Sequence, residues 1–375
     1  MKSKLLENFI YLIILCLPTY LIRFKILGIP FTLLEVLILG IFILFLFIYR
    51  LNFSLGSYKY VVCSFLVIGL IGAIVSVNNQ AALGILKAYI IEPILFYIVL
   101  INVKPKYNKI LWSLGFSAAF IALVGLIQYI TGYGIPAPWN IRGEEFRITS
   151  VYEYPNAIGL FLAPIIVLFL GNILIFKNKI FYSVALVALL LSAIFFAKTE
   201  GAYLAIIASF IFLGLFTKWK KYFIAAFILG IIILMVVPSF RDVITLQDTS
   251  GDVRLALWQG TWNLLSDRPL FGAGLAGFPD LYPLYKLDKH VEILQYAHNI
   301  FLDFWVQLGI LGLLWLIWAM FTFFAQSLKR KTKISIVAMS AMAAILVYGL
   351  VDVPYFKNDL SILFWLILGL SRLEK

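Results

Sequence analysis

Side chains able to do acid–base or anion chemistry are scarce in this sequence, and they crowd into residues 252–312, DVRLALWQGTWNLLSDRPLFGAGLAGFPDLYPLYKLDKHVEILQYAHNIFLDFWVQLGILG. Both histidines of the chain, His290 and His298, are there, with Arg254, Arg268, Lys286 and Lys289. An imidazole, whose ordinary pKa is about 6.5, is poised to take a proton near neutral pH. Guanidiniums suit a diphosphate, which they hold by charge-assisted, bidentate hydrogen bonds. The plainer readings are an interfacial hydrogen-bonding residue for His298 and a lipid-phosphate anchor for Arg254. The two histidines stand eight residues apart, which fits no common metal-ligand spacing, so neither a metal nor another cofactor is expected. Asp303 lies five residues beyond His298, roughly 140° round a helix, a poor placement for a direct partner. The glycines of FGAGLAGF, residues 271–278, follow no strand and precede no Lys-Ser/Thr pair, so they read as tight turns and not as a phosphate loop.

The elements that must position these residues are membrane helices. A chain of 375 residues that is 63% hydrophobic and 13% charged carries more apolar surface than a soluble core can bury. The expected fold is an all-α integral membrane protein, a single polytopic domain over residues 1–375. No small-residue cleavage site follows the first apolar run, which therefore reads as a retained span. Cys16 and Cys63 sit inside apolar runs, where neither a disulfide nor a metal site is expected. Twelve candidate spans run over residues 6–22, 30–49, 59–77, 82–102, 110–130, 155–175, 180–197, 201–217, 222–239, 298–325, 334–352 and 358–371.

The net charge of +12 is dispersed as short basic clusters between spans, which argues against a nucleic-acid partner and reports topology instead. Placing the N-terminus inside puts Lys2 and Lys4, Lys104 to Lys109, Lys177 and Lys179, Lys218 to Lys221 and Lys329 to Lys333 on the cytoplasmic side, with few acids among them. Both termini are then cytoplasmic. Two outer segments are long: residues 131–154, and a large loop over 239–297 between the ninth and tenth spans. Within that loop Leu255, Trp258, Trp262 and Leu265 recur at helical spacing, predicting an amphipathic helix over 252–267 that lies along the interface. Pro155 suits the first turn of a helix. Glu35, Lys87, Glu92 and Asp303 fall within spans, where charges face protein or a wet cavity, and Glu35 with Lys87 is a candidate ion pair.

In these residues the chain resembles the O-antigen ligase and O-antigen polymerase superfamily. The resemblance is carried by Arg254 and Trp258, by Asp267-Arg268-Pro269-Leu270-Phe271-Gly272-Ala273-Gly274, by Gly277-Phe278, and by Ala297-His298-Asn299 leading into a helix with Gly309 and Gly312. Upstream, Arg147 with Ser150, Pro155 and Asn156 is similar to the family's arginine-containing segment before a span. At Lys198-Thr199-Glu200-Gly201 the chain departs from the pattern, because Glu200 stands where relatives carry arginine and Lys198 lies two residues earlier. The resemblance implies a GT-C-like, metal-independent glycosyltransferase of the bacterial cytoplasmic membrane. Its donor would be a polyprenyl-diphosphate-linked glycan and its acceptor a glycan or glycolipid, with the site on the outer face of the lipid bilayer. It implies His298 and Arg254 as catalytic residues, with Arg147, Arg142, Lys198, Asn299 and Trp258 holding the diphosphate or substrate. Ligation and polymerisation differ only in the acceptor, which nothing in the sequence reads. From another class, a lipid-linked oligosaccharide flippase or secondary transporter also accommodates twelve spans with intramembrane charges, although no internal repeat is visible.

Overall fold

The computed structural model describes residues 2–26, 28–50, 52–141, 143, 146–236, 249–288 and 294–373. In chain order its elements are α1 (Lys2–Leu15), a hairpin of β1 (Arg23–Ile26) and β2 (Ile29–Thr32), α2 (Leu33–Tyr49), α3 (Lys59–Ile74), α4 (Asn79–Val103) and α5 (Tyr107–Thr131). There follow α6 (Asn156–Phe176), α7 (Ile180–Ala197), α8 (Glu200–Gly214), α9 (Lys220–Val236), α10 (Thr249–Asp267), α11 (Ile300–Arg330), α12 (Lys333–Tyr348) and α13 (Asn358–Leu370). Among the described residues, six helices are long and apolar enough to cross a bilayer, and α2, α8, α12 and α13 are apolar but shorter. The helical membrane class stands, while the expected count of twelve spans is met by six helices of full length. The shortening has local causes. A helix of 13 residues such as α13 reaches about 20 Å, short of the roughly 30 Å hydrocarbon core. Every residue of α13 is buried, so protein surrounds it on all sides.

The expected second span begins later than residue 30 because the chain first makes the hairpin, in which Phe24 pairs with Phe31 and Lys25 with Pro30. Thr32 then caps α2 reciprocally: the Glu35 amide donates to Thr32 Oγ1 at 3.2 Å, and the Thr32 amide donates to Glu35 Oε2 at 3.1 Å. Lys87 of α4 donates to Glu35 Oε2 at 3.0 Å and to Pro30 O at 2.8 Å, tying the hairpin to the bundle.

The helix α6 is the centre of one half of the molecule, packed by α5, α7, α8 and α12. Small residues let α6 and α8 approach α12: a Cβ on Gly159 would stand 2.6 Å from the Tyr348 hydroxyl, and one on Gly201 of α8 would stand 2.7 Å from the Tyr348 ring. In the other half α11 lies on α3, and α13 on α4. There Phe65 stacks on Trp315 with centroids 3.9 Å apart, and the indole N–H groups of Trp315 and Trp365 donate to Val61 O and to the Tyr355 hydroxyl.

One long helix is broken where the loop enters it. Gly309 leaves helical geometry at φ 70°, ψ −175°. The Leu270 carbonyl accepts from the Ile310 amide at 3.2 Å, Val306 O accepts from the Ala273 amide at 2.8 Å, and Pro269 O accepts from the Trp305 indole at 2.7 Å. A side chain at Gly309 would collide with Leu270 O. The backbone groups freed by the break are thus satisfied by the Pro269–Ala273 turn. α10 packs its Leu257, Thr261, Leu264 and Leu265 face on a small core with Phe278, Tyr282 and Val306. Of the expected apolar stripe, Leu255 and Trp262 are 44% and 53% exposed, while Leu265 is buried. The helix needs one apolar face for protein and shows a second one outward, and spacing alone did not tell them apart.

Candidate active site

A four-residue run at the end of α12, Gly349-Leu350-Val351-Asp352, gathers the candidate residues from three distant parts of the chain. Gly349 O accepts from the Ile300 amide at 2.7 Å, and Leu350 O accepts from the Asn299 side chain at 3.0 Å. Val351 O accepts from Arg254 Nε at 3.2 Å. The Asp352 carboxylate lies with Oδ1 3.4 Å from His298 Nδ1. These anchors place His298, in the left-handed region at φ 48°, immediately before α11. Asn299 caps that helix, its Oδ1 accepting from the Phe301 and Leu302 amides at 3.0 and 3.2 Å. A bulky residue held at positive φ is costly and persists where its surroundings fix it on both sides, as they do here.

Asp352 is itself held. Its Oδ1 accepts from the Val353 amide at 2.8 Å and its Oδ2 accepts from Asn156 Nδ2 at 3.1 Å. Asn156, the first residue of α6, accepts with Oδ1 from Arg147 Nη2 at 3.0 Å. Arg147 also donates through Nε to Ala197 O at 2.9 Å and through Nη2 to Lys198 O at 3.2 Å, and its guanidinium lies 4.9 Å from the Trp139 ring. The result is an unbroken polar line, Arg147–Asn156–Asp352–His298, with Arg254 joined to it one residue before the carboxylate. The His298 and Asp352 side chains are 26% and 6% exposed, so the imidazole is reachable while its partner is shielded.

Electrostatics follow from that burial. Desolvation alone would lower the His298 pKa, but the charge and hydrogen bond of Asp352 outweigh it, and the imidazole titrates above its ordinary value. Arg254 works in the opposite direction on the same ring. Burial alone would raise the Asp352 pKa, and His298, the Val353 amide and Asn156 together hold it below the ordinary carboxylate range. With Nδ1 turned to the carboxylate, Nε2 is left as the proton acceptor of the neutral ring. Asp303 does not share the imidazole; its Oδ1 accepts from the Ala297 amide at 3.3 Å.

Trp258 lies one turn beyond Arg254 on α10, and its indole N–H is buried without a hydrogen-bond partner among the described residues. Lys198 ends α7 in the left-handed region at φ 49°. Its side chain, with Glu200, lines a groove of about 870 Å³ between α5, α7 and α8 whose walls are Tyr129, Phe146, Phe195 and Phe196. This groove begins at Lys198, whose carbonyl accepts from Arg147. Arg142 and His290 lie outside the described residues. Among the described residues no group of three His, Cys, Asp or Glu side chains converges as a metal site would require.

Sequence reasoning missed Asp352 and Asn156's tie to it. The available signal was Val351-Asp352-Val353-Pro354, an acid at a span's end before a helix-stopping proline. Backbone carbonyls, which make most of this hub, leave no trace in residue type.

Residues 185–317 match the model of a family described as O-antigen ligase. That stretch runs from α7 into α11 and contains Lys198, Arg254, Trp258, His298 and Asn299; Arg147 and Asp352 lie outside it. The superfamily resemblance carried by those motifs is supported by this match. No curated protein matches the chain in sequence.

Proposed function

We propose that the protein is an inverting glycosyltransferase that moves a glycan from a polyprenyl diphosphate to a sugar acceptor on the outer face of the bacterial cytoplasmic membrane, as an O-antigen ligase or polymerase. The observation that carries this reading is the line Arg147–Asn156–Asp352–His298 with Arg254 at its side. A general base facing Asp352, Arg254 held by the Val351 carbonyl and Arg147 joined to Asp352 through Asn156 are the parts this reaction needs.

In the proposed step His298 Nε2 takes the proton of the attacking acceptor hydroxyl while its oxygen bonds to the anomeric carbon from the side opposite the diphosphate. The bond from that carbon to the diphosphate oxygen breaks, and the electron pair leaves on the diphosphate. Arg147 and Arg254 neutralise that charge by charge-assisted hydrogen bonds, and the spare Trp258 N–H offers a further donor. Asp352 holds the tautomer and stabilises the imidazolium once formed. Asn299 positions His298 through the helix cap. The aromatic groove beginning at Lys198 would take the prenyl chain, and Lys198 with Arg142 would assist the diphosphate. The cationic helix ends at the opposite pole favour a cytoplasmic location there, which leaves the site outside, where lipid-linked sugars are the available donors.

Purified protein incubated with a polyprenyl-diphosphate oligosaccharide and candidate acceptors, with EDTA present, tests the reading. It requires free lipid diphosphate to appear together with an elongated acceptor of inverted anomeric configuration. Acceptor elongation with a glycolipid core marks a ligase, and elongation of a second donor chain marks a polymerase. Movement of intact donor between leaflets without transfer would replace the proposal with a flippase.

A further inference from the structure

The helices that meet at the site also end together about 30 Å away, since the 21 residues of α6 rise about 1.5 Å each. At that far pole lies a second groove, of about 270 Å³, between the end of α6 and the α8–α9 turn. Its apolar floor includes Ile173, Leu174 and Phe216, and its rim Lys177, Lys218 and Trp219. Among the described residues no acidic side chain lines it.

The wall is built and not merely decorated with surface lysines. The last turn of α6, Asn172–Phe176, is widened to π geometry, and Lys177 turns away in the left-handed region at φ 54°. Asn172, fully buried, fixes this turn by donating to Asn178 O at 2.7 Å and contacting Ser183 Oγ at 2.9 Å. Across the groove Thr217 holds the α8–α9 turn, donating through Oγ1 to Gly214 O at 2.8 Å and accepting from the Trp219 amide at 3.2 Å. The Lys218 ammonium lies 5.1 Å from the Trp219 ring, and on the adjoining side Lys333 of α12 lies 5.9 Å from Phe176. Between Asn172 and Tyr222 the chain's one acid is Glu200, which begins α8 at the opposite pole.

We propose that this groove is a binding site for an anionic diacyl phospholipid, its phosphate between Lys177 and Lys218 and an acyl chain along Ile173, Leu174 and Phe216. Charge complementarity selects the headgroup, and the apolar floor selects a lipid over a free anion. Topological sorting of lysines to the cytoplasmic side would require the charge but not the apolar trough beneath it. The inference stands apart from the reading of the active site, since it uses none of its residues.

The test is native mass spectrometry and thermal unfolding of the full-length protein in neutral detergent, titrated with phosphatidylglycerol, phosphatidylcholine or inorganic phosphate. Phosphatidylglycerol is expected to remain bound and raise the unfolding midpoint, with neither effect from the other two. A lysine near an anionic headgroup contributes about 1 kcal/mol, so K177A/K218A is expected to weaken phosphatidylglycerol binding on the order of thirty-fold, with K177R/K218R retaining it. Equal retention of phosphatidylcholine, an equal shift with phosphate, or unchanged phosphatidylglycerol binding by K177A/K218A would overturn the proposal. Because both lysines are exposed, the variants' folding is checked by their lipid-free midpoints.

Discussion

The two poles of the same helices hold their cations in opposite ways. At the site, Arg147 and Arg254 are tied to carbonyls of Ala197, Lys198 and Val351, and Arg147 reaches a buried carboxylate through Asn156. At the far pole, Lys218, Lys221 and Lys333 lie over the faces of Trp219, Tyr222 and Phe176. A planar guanidinium with five donors can be fixed by some and still present the rest to a ligand, whereas an ammonium on a flexible stem works as a point charge. The first arrangement suits a reaction that must place a leaving group; the second suits topology and lipid.

The comparison breaks first, and by the most, at His298. Replacing it with alanine is expected to lower transfer by about 10²–10⁴-fold, with the amount of inserted protein unchanged; full activity would end the base assignment. Next comes Arg147→Ala, expected to cost about 10²–10³ in turnover as for other fixed donors to developing charge. Arg147→Lys should recover only a small part, because an ammonium on a flexible stem lacks the planar fork that spans Ala197 O, Lys198 O and Asn156. Asp352→Asn should cost roughly 10–100-fold, the worth of one charge-assisted hydrogen bond. Gly309→Ala is expected to act through the fold, lowering the unfolding midpoint by crowding Leu270 O and by a penalty of about 1–3 kcal/mol for a side chain at positive φ with extended ψ. The smallest effect belongs to the far pole: K177A/K218A should leave the transfer rate unchanged in zwitterionic detergent while losing phosphatidylglycerol.

These two poles also differ in how much of them the sequence disclosed. At the far pole the lysine clusters themselves were legible, because they stand between apolar runs. At the site, His298, Asn299 and Arg254 stood out by residue type and order, and the Glu35–Lys87 pair was foreseeable as two charges that apolar surroundings would drive together. Asp352 was not, because its role rests on contacts to Asn156 and His298, far off in sequence, and on neighbouring carbonyls that any residue supplies. The hairpin Arg23–Thr32 falls largely in the gap between the first two expected spans, where RFKILGIPFT is too short to announce two paired strands. The break at Gly309 depends on the Pro269–Ala273 turn docking into α11, a tertiary event that a glycine in an apolar run does not announce. On α10 the period was visible, but which apolar face meets protein is decided by Phe278, Tyr282 and Val306, contributed from elsewhere.

The account turns on Asp352 governing the protonation of His298, and the pH dependence of transfer by the wild type and by Asp352→Asn tests this most directly. A base must be unprotonated to act, so the rate should fall as pH drops through the imidazole pKa, which lies above its ordinary 6.5. Without the carboxylate, burial and Arg254 remain to disfavour the imidazolium, and the acid limb of the asparagine variant is predicted to move to lower pH. An acid limb that stays where it was, or moves upward, would contradict the account.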